Sequence, residues 1–96
     1  MSLELCVLLW SFDGQEDALT HYEDTVLSLL PKYGGRVVSR VRNTGGGTGP
    51  LEVQVIHFPD DSALSAYMED SERLALVNVR RDVVARTELL TVETIV

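Results

Sequence analysis

The sequence predicts a single α+β domain: a four-stranded antiparallel sheet with two helices on one of its faces. Three observations lead there. An apolar run of strand length spans Leu3–Phe12, and an apolar stripe at helical spacing follows it. Two β-branched runs then flank a glycine-rich link. Finally, a second helical region and a Thr-Val-rich C-terminal segment close the chain.

Each element has its own signals. In the first strand Leu3, Leu5, Val7 and Leu9 fall on one side, and Cys6, Leu8, Trp10 and Phe12 on the other. Asp13-Gly14-Gln15-Glu16 reads as a helix start, with Asp13 as the cap and Glu16 three residues on. Leu19, Tyr22, Val26, Leu29, Leu30 and Tyr33 mark the buried stripe of the first helix, while Asp17, Glu23 and Asp24 are expected to face water. Pro31 bends its last turn, and Gly34-Gly35 supplies the left-handed stop. Strands are expected over Arg36–Arg42 and Leu51–Phe58. Pro59-Asp60-Asp61-Ser62 caps a second helix that carries Leu64, Tyr67 and Met68 on one face. Asp70-Ser71 reads as a break or a new cap, a further helical piece follows, and Thr87–Val96 is expected to be the last strand. Strand, helix, strand, strand, helix, strand is the ferredoxin-like order.

Composition narrows the partners. Fifteen acidic residues against eight basic ones give a net charge of −7, which repels nucleic acid and anionic membrane. Arg36, Arg40 and Arg42 alternate with other residues along one strand, the pattern of solubilising charges at a sheet edge. Cys6 is the only cysteine, so no intrachain disulfide is available and a reducing compartment fits. The N-terminus has neither the basic flank of a signal peptide nor the length of a membrane span. The cytoplasm is the expected location.

The glycine run Gly45-Gly46-Gly47-Thr48-Gly49-Pro50 leads into a strand rather than a helix, and no Lys-Ser or Lys-Thr follows it. It therefore lacks the helix N-terminus of a phosphate loop and is expected to be a long hairpin connection. A lid over a pocket is a second role open to such a loop.

The first strand is apolar on both sides. A lone ferredoxin-like domain leaves one sheet face wet, and four or five large side chains there forgo about 1.5–3 kcal/mol each. A second copy packed sheet to sheet removes that cost, so a homodimer is expected.

"HYEDTVLSLLPKYGGRVVSR" followed by "VQVIHFPDDSALSAYMEDSERLALVNVR" resembles the dimeric α+β barrel superfamily, and most closely the DUF1330-like proteins. Antibiotic-biosynthesis-monooxygenase-like proteins are more distant relatives. The resemblance rests on Tyr33-Gly34-Gly35-Arg36 and Phe58-Pro59-Asp60. It implies a dimeric α/β barrel of two ferredoxin-like subunits, with a cavity on or beside the sheet. Quinone-forming monooxygenases of the superfamily turn an Asn and a Trp of the third strand toward that cavity. The matching positions are Gln54 and Phe58, so the amide is kept and the indole is not. No histidine matches a haem ligand on the second helix.

The candidate chemistry is sparse. His57 as general base and Gln54 as the group orienting an oxyanion form the catalytic pair of an expected cofactor-independent monooxygenase or isomerase. Trp10, Tyr22, Phe58, Tyr67 and Arg80 are candidates for binding a small apolar or aromatic molecule, although aromatic side chains equally fill cores and interfaces. Arg81 is a further helix-end cation. His21 reads as exposed, Cys6 as a mid-strand packing residue, and no spacing suits a metal or other cofactor. The alternative is a ligand-binding or structural dimer without catalysis.

Overall fold

In the computed structural model, which describes residues 2–96, β1 (Leu3–Ser11) leads into α1 (Glu16–Leu27) and a 3-10 turn (Leu30–Tyr33). β2 (Arg36–Arg42) and β3 (Glu52–Phe58) follow. Three short helices, α2 (Asp61–Met68), α3 (Ser71–Leu74) and α4 (Val77–Val83), then precede β4 (Val84–Val92). The sheet order is β2-β3-β1-β4, with every neighbouring pair antiparallel. This is the ferredoxin-like arrangement, its second helix broken into three pieces. Among the described residues no helix is long and apolar enough to cross a membrane.

Strand register sorts the side chains onto two faces. Leu5, Val7 and Leu9 of β1 pair with Ile56, Gln54 and Glu52 of β3, and all six are buried beneath the helices. The other parity carries Cys6 and Leu8, opposite Val55 and Val53 of β3 and Leu90 and Glu88 of β4. Among the described residues no helix covers this outer face, and the molecule is a slab only 17 Å thick. Leu90 and Val41 are each more than half exposed there.

α1 begins later than its sequence suggests. Its cap position is Gln15, and Asp13 stands outside the helix. Glu16 does reach back, accepting from the Gly14 N–H at 3.1 Å. The helix also stops early, at Leu27, because Pro31 has no N–H to continue the ladder. The chain tightens instead into the 3-10 turn, which still buries Leu30. Asp60 caps α2 by accepting from Ala63 N at 2.8 Å, and Asp70 caps α3 by accepting from Glu72 N and Arg73 N. A bulge between Trp10 and Ser11 ends β1 and leaves Phe12 outside the strand and exposed. β4 lies earlier than expected, since β1 offers it no partner beyond Glu4, which pairs with Val92. Thr94 instead donates twice to the Glu4 carboxylate, and Ile95 and Val96 are exposed.

The two motifs behind the family resemblance touch one another. Gly34 closes the 3-10 turn at φ 72°, against the Pro59 ring. Gly35 is buried, and a Cβ there would lie 3.2 Å from the Phe58 ring and 3.3 Å from the His57 carbonyl. Glycine is what lets the turn into β2 pack on the end of β3.

Candidate functional site

The helix-facing row of β3 is half polar. Glu52 and Gln54 are each only 1% exposed, beside Ile56 and Phe58. Buried carboxyl and amide groups need partners, and here the partners come from α1 and β2. Arg40 of β2 clamps Glu52 with Nε at 2.7 Å and Nη2 at 3.0 Å, while Thr20 Oγ1 donates to it at 2.7 Å. Arg40 also reaches Asp24 and the Thr20 carbonyl. It is thus an internal counter-ion rather than a solubilising edge charge. Arg42 turns the same way, onto Asp17 and Thr20 of α1. Burial by itself would raise the Glu52 carboxyl, but Arg40, Thr20 and Gln54 outweigh it and hold the group below the usual carboxylate range.

Gln54 is the link to the cavity. Its amide nitrogen donates to Glu23 Oε1 at 2.9 Å and to Glu52 Oε1 at 3.2 Å. Two acceptors on one side settle the amide's orientation, because only the NH2 end can satisfy both. The amide oxygen is left buried without a partner. Glu23, expected to face water, is buried on α1 within the run Leu19, Tyr22, Glu23, Val26, Leu27. Desolvation pushes its carboxyl above the ordinary value of 4.5. The Gln54 bond opposes that rise, and the Glu52 charge adds to it.

These groups edge a cavity of about 100 Å³ between the helices and the sheet. Its walls are mostly apolar, from Leu5, Val7 and Leu9 of β1, Val26 of α1 and Ile56 and Phe58 of β3. Glu23, Gln54, Arg73, Arg80 and Thr87 supply the polar atoms, and the exposed Met68 and Leu89 stand at its rim. Arg73 lies over the Tyr67 ring, 5.2 Å from its centre, and its Nε is buried without a partner. Tyr67 donates to the Val26 carbonyl at 2.9 Å, and burial raises its hydroxyl to about 12, which keeps it a neutral donor. Arg80 Nη2 donates to Thr87 Oγ1 at 3.1 Å. The cap residue Asp70 fixes the start of α3 and so the placement of Arg73. It accepts from Lys32 at 2.9 Å and from the Tyr33 hydroxyl.

The expected site residues separate into three groups. Gln54, Phe58, Tyr67 and Arg80 share the cavity. Tyr22 is buried in the core beside it. His57 and Trp10 lie on the outer face of the sheet, so His57 and Gln54 do not converge: strand alternation puts them on opposite sides. His57 pairs in register with Glu4 of β1 and Arg36 of β2. The carboxyl that lines the cavity is that of Glu23 instead. The helical periodicity through positions 19, 22, 23, 26 and 27 contained that signal. Arg73 carried none beyond its place three residues after a cap. His21 is exposed and Cys6 half-buried on the outer face. Among the described residues no group of three His, Cys, Asp or Glu side chains is placed to hold a metal.

The glycine loop sits elsewhere. Trp10 Nε1 donates to the Thr48 carbonyl at 3.0 Å, and Asn43 holds the turn by accepting from Gly45 N and donating to the Gly46 carbonyl. It roofs a separate polar hollow of about 290 Å³ lined by Trp10, Glu16 and Asn43, away from the main cavity.

No protein-family model matches this chain, and no curated protein matches it. Solved structures do. The PA3566 protein of Pseudomonas aeruginosa is 12% identical, with 99% of this chain and 95% of that one aligned at a TM-score of 0.78. A dimeric protein of unknown function and ferredoxin-like fold from Bacteroides fragilis is 13% identical, over 97% and 96% of the chains, at 0.73. A candidate antibiotic biosynthesis monooxygenase from Nitrosomonas europaea is 11% identical, over 98% and 90%, at 0.77. At such identities the likeness is one of fold. The chain is a ferredoxin-like α+β protein.

Proposed function

We propose that the chain works as a homodimer joined through the outer sheet face, and that each subunit binds a small, mostly apolar or aromatic molecule in the cavity beneath its helices. Glu23 moves a proton to and from that molecule. The single observation behind this reading is a buried carboxyl of raised pKa in an apolar cavity, held through one oxygen by Gln54. A carboxylate so placed is a stronger base than one in water. It can take a proton from an acidic C–H or O–H, and the Arg73 charge favours the anion that forms. Return of the proton at a neighbouring carbon is an isomerisation. Passage of an electron from the same anion to dioxygen is the opening step of a cofactor-independent monooxygenation, and the Nitrosomonas neighbour is described as a candidate antibiotic biosynthesis monooxygenase. Kinship with DUF1330-like proteins and a dimeric α/β barrel assembly belong to the same reading, supported by the Gly34-Gly35 and Phe58-Pro59 contact and by the dimeric Bacteroides neighbour.

The test is a thermal-shift screen of small phenols and aromatic acids, followed by deuterium exchange of the bound molecule's acidic hydrogens, read by NMR. Exchange that is catalysed by the wild type and falls about 10²–10⁴-fold in Glu23→Gln supports the reading. Binding with no exchange in either protein makes the chain a ligand-binding dimer without catalysis.

A further inference from the structure

We infer that the molecule bound in the cavity is a small organic anion, a carboxylate on a body of about one ring that also carries a hydroxyl group. This rests on the cavity being the ligand site proposed above, and it adds the charge and polarity of what enters.

Arginine pairing carries the inference. Among the described residues Lys32, Arg40, Arg42, Arg81 and Arg86 each lie within 4 Å of a carboxylate. Arg36, Arg73 and Arg80 do not, in a chain with fifteen acidic residues to offer. Two of these three line the same cavity. Arg73 leaves its Nε buried and unbonded, while the rest of its guanidinium lies against the Tyr67 ring. A buried, unmatched N–H beside a hollow is costly unless something fills it, and a carboxylate fits the planar fork of an arginine. A net charge of −7 would repel anions from the surface at large. Two arginines set against the one carboxyl of Glu23, behind apolar walls, reverse that sign locally.

The second polar feature of the ligand follows from Gln54. Its amide oxygen is an acceptor, turned away from Glu23 and Glu52 and without a donor. It calls for a donor on the ligand, and a hydroxyl is the simplest group that supplies one. Size follows from the volume: about 100 Å³, with an open rim, suits on the order of one six-membered ring.

The experiment titrates the ¹⁵N-labelled protein with 4-hydroxybenzoate, with its neutral isostere 4-hydroxybenzamide, and with phenol. The expected result is saturable binding of 4-hydroxybenzoate with shifts at the Gln54 side-chain amide. The amide probe should bind at least tenfold more weakly. Arg73→Met and Arg80→Met, each checked for an unchanged fold by its spectrum, should each weaken the acid at least tenfold and leave phenol within about twofold. Arg73→Lys keeps the charge but not the fork, and should fall between. Equal binding of acid and amide, or phenol bound at the cavity with the acid excluded, overturns the anion inference and leaves the cavity reading standing. Binding of none of the three overturns both.

Discussion

The amide nitrogen of Gln54 lies 2.9 Å from Glu23 Oε1, so a strand residue and a helix residue 31 positions apart share one buried hydrogen bond. The same nitrogen also serves Glu52, which makes Gln54 the only donor common to two buried carboxyls among the described residues. Gln54→Leu keeps the volume and removes that donor. It is expected to destabilise the fold by about 1–3 kcal/mol, the cost of leaving buried acceptors unmatched. Gln54→Glu, nearly isosteric, should be worse, since it sets a third carboxyl among two. Urea unfolding at neutral pH, with concentration held fixed, measures both.

Stability should depend on pH in two separate windows. Glu23 titrates above 4.5 in the folded chain, because burial disfavours its charge. Between 4.5 and that higher value the native state keeps a proton the unfolded chain has released, so stability falls as pH rises. Glu52 is held below 4.5, and Asp70, bonded by Tyr33 and Lys32, is held below 3.8. Their contributions are present above those ordinary values and are lost as pH falls through the lower folded ones. Glu23→Gln should therefore gain on the wild type as pH rises from about 4.5, reach a plateau, and keep the acid limb. Urea midpoints for the two proteins between pH 3 and 8 give the comparison.

Arg40→Met should be among the most damaging single changes. The methionine replaces the aliphatic stem but leaves Glu52 buried with its main counter-charge gone, a loss of about 3–5 kcal/mol. Arg40→Met combined with Glu52→Met should recover at least half of it, because the uncompensated charge is then absent. A double-mutant cycle by chemical denaturation tests this. Near-additive losses would mean that the pair is not coupled.

The strands and their order were legible because alternation and turn residues are local signals, readable without knowing what lies opposite. The cavity was less so. Parity in β3 alone separates His57 from Gln54, since Val53, Val55 and His57 alternate with Glu52, Gln54 and Ile56. Glu23 fell on the helical stripe, but its charge argued for water. What overrides the charge is Gln54, brought close only by the fold. Arg40 was misread for the same reason, its partner Glu52 lying across the hairpin. Arg73 depends on the Asp70 cap, on a helix of four residues too short to show a period. The ends of α1 and of β4 were displaced where proline, or the lack of a partner strand, overrode propensity.

Association is the last expectation, and it follows from the outer face. Cys6, Leu8, Val53, Val55 and Leu90 stand together there with no helix above them. Arg86 partly shields Trp10 by lying 4.4 Å over its ring, yet Leu90 is more than half exposed and Leu8 only half-buried. Full burial of such side chains contributes about 1.5–3 kcal/mol each, and contiguous apolar patches are uncommon on lone chains. Leu8→Glu places a charge at the centre of this face, paired with Val53 on one side and Glu88 on the other. The wild type should sediment as a dimer at micromolar concentration. The variant should sediment as a single chain while keeping its far-ultraviolet circular dichroism, because Leu8 takes no part in the helix-facing core. A wild type that sediments as one chain across that range would remove the sheet-to-sheet dimer, while the cavity beneath the helices, built within one subunit, would stand.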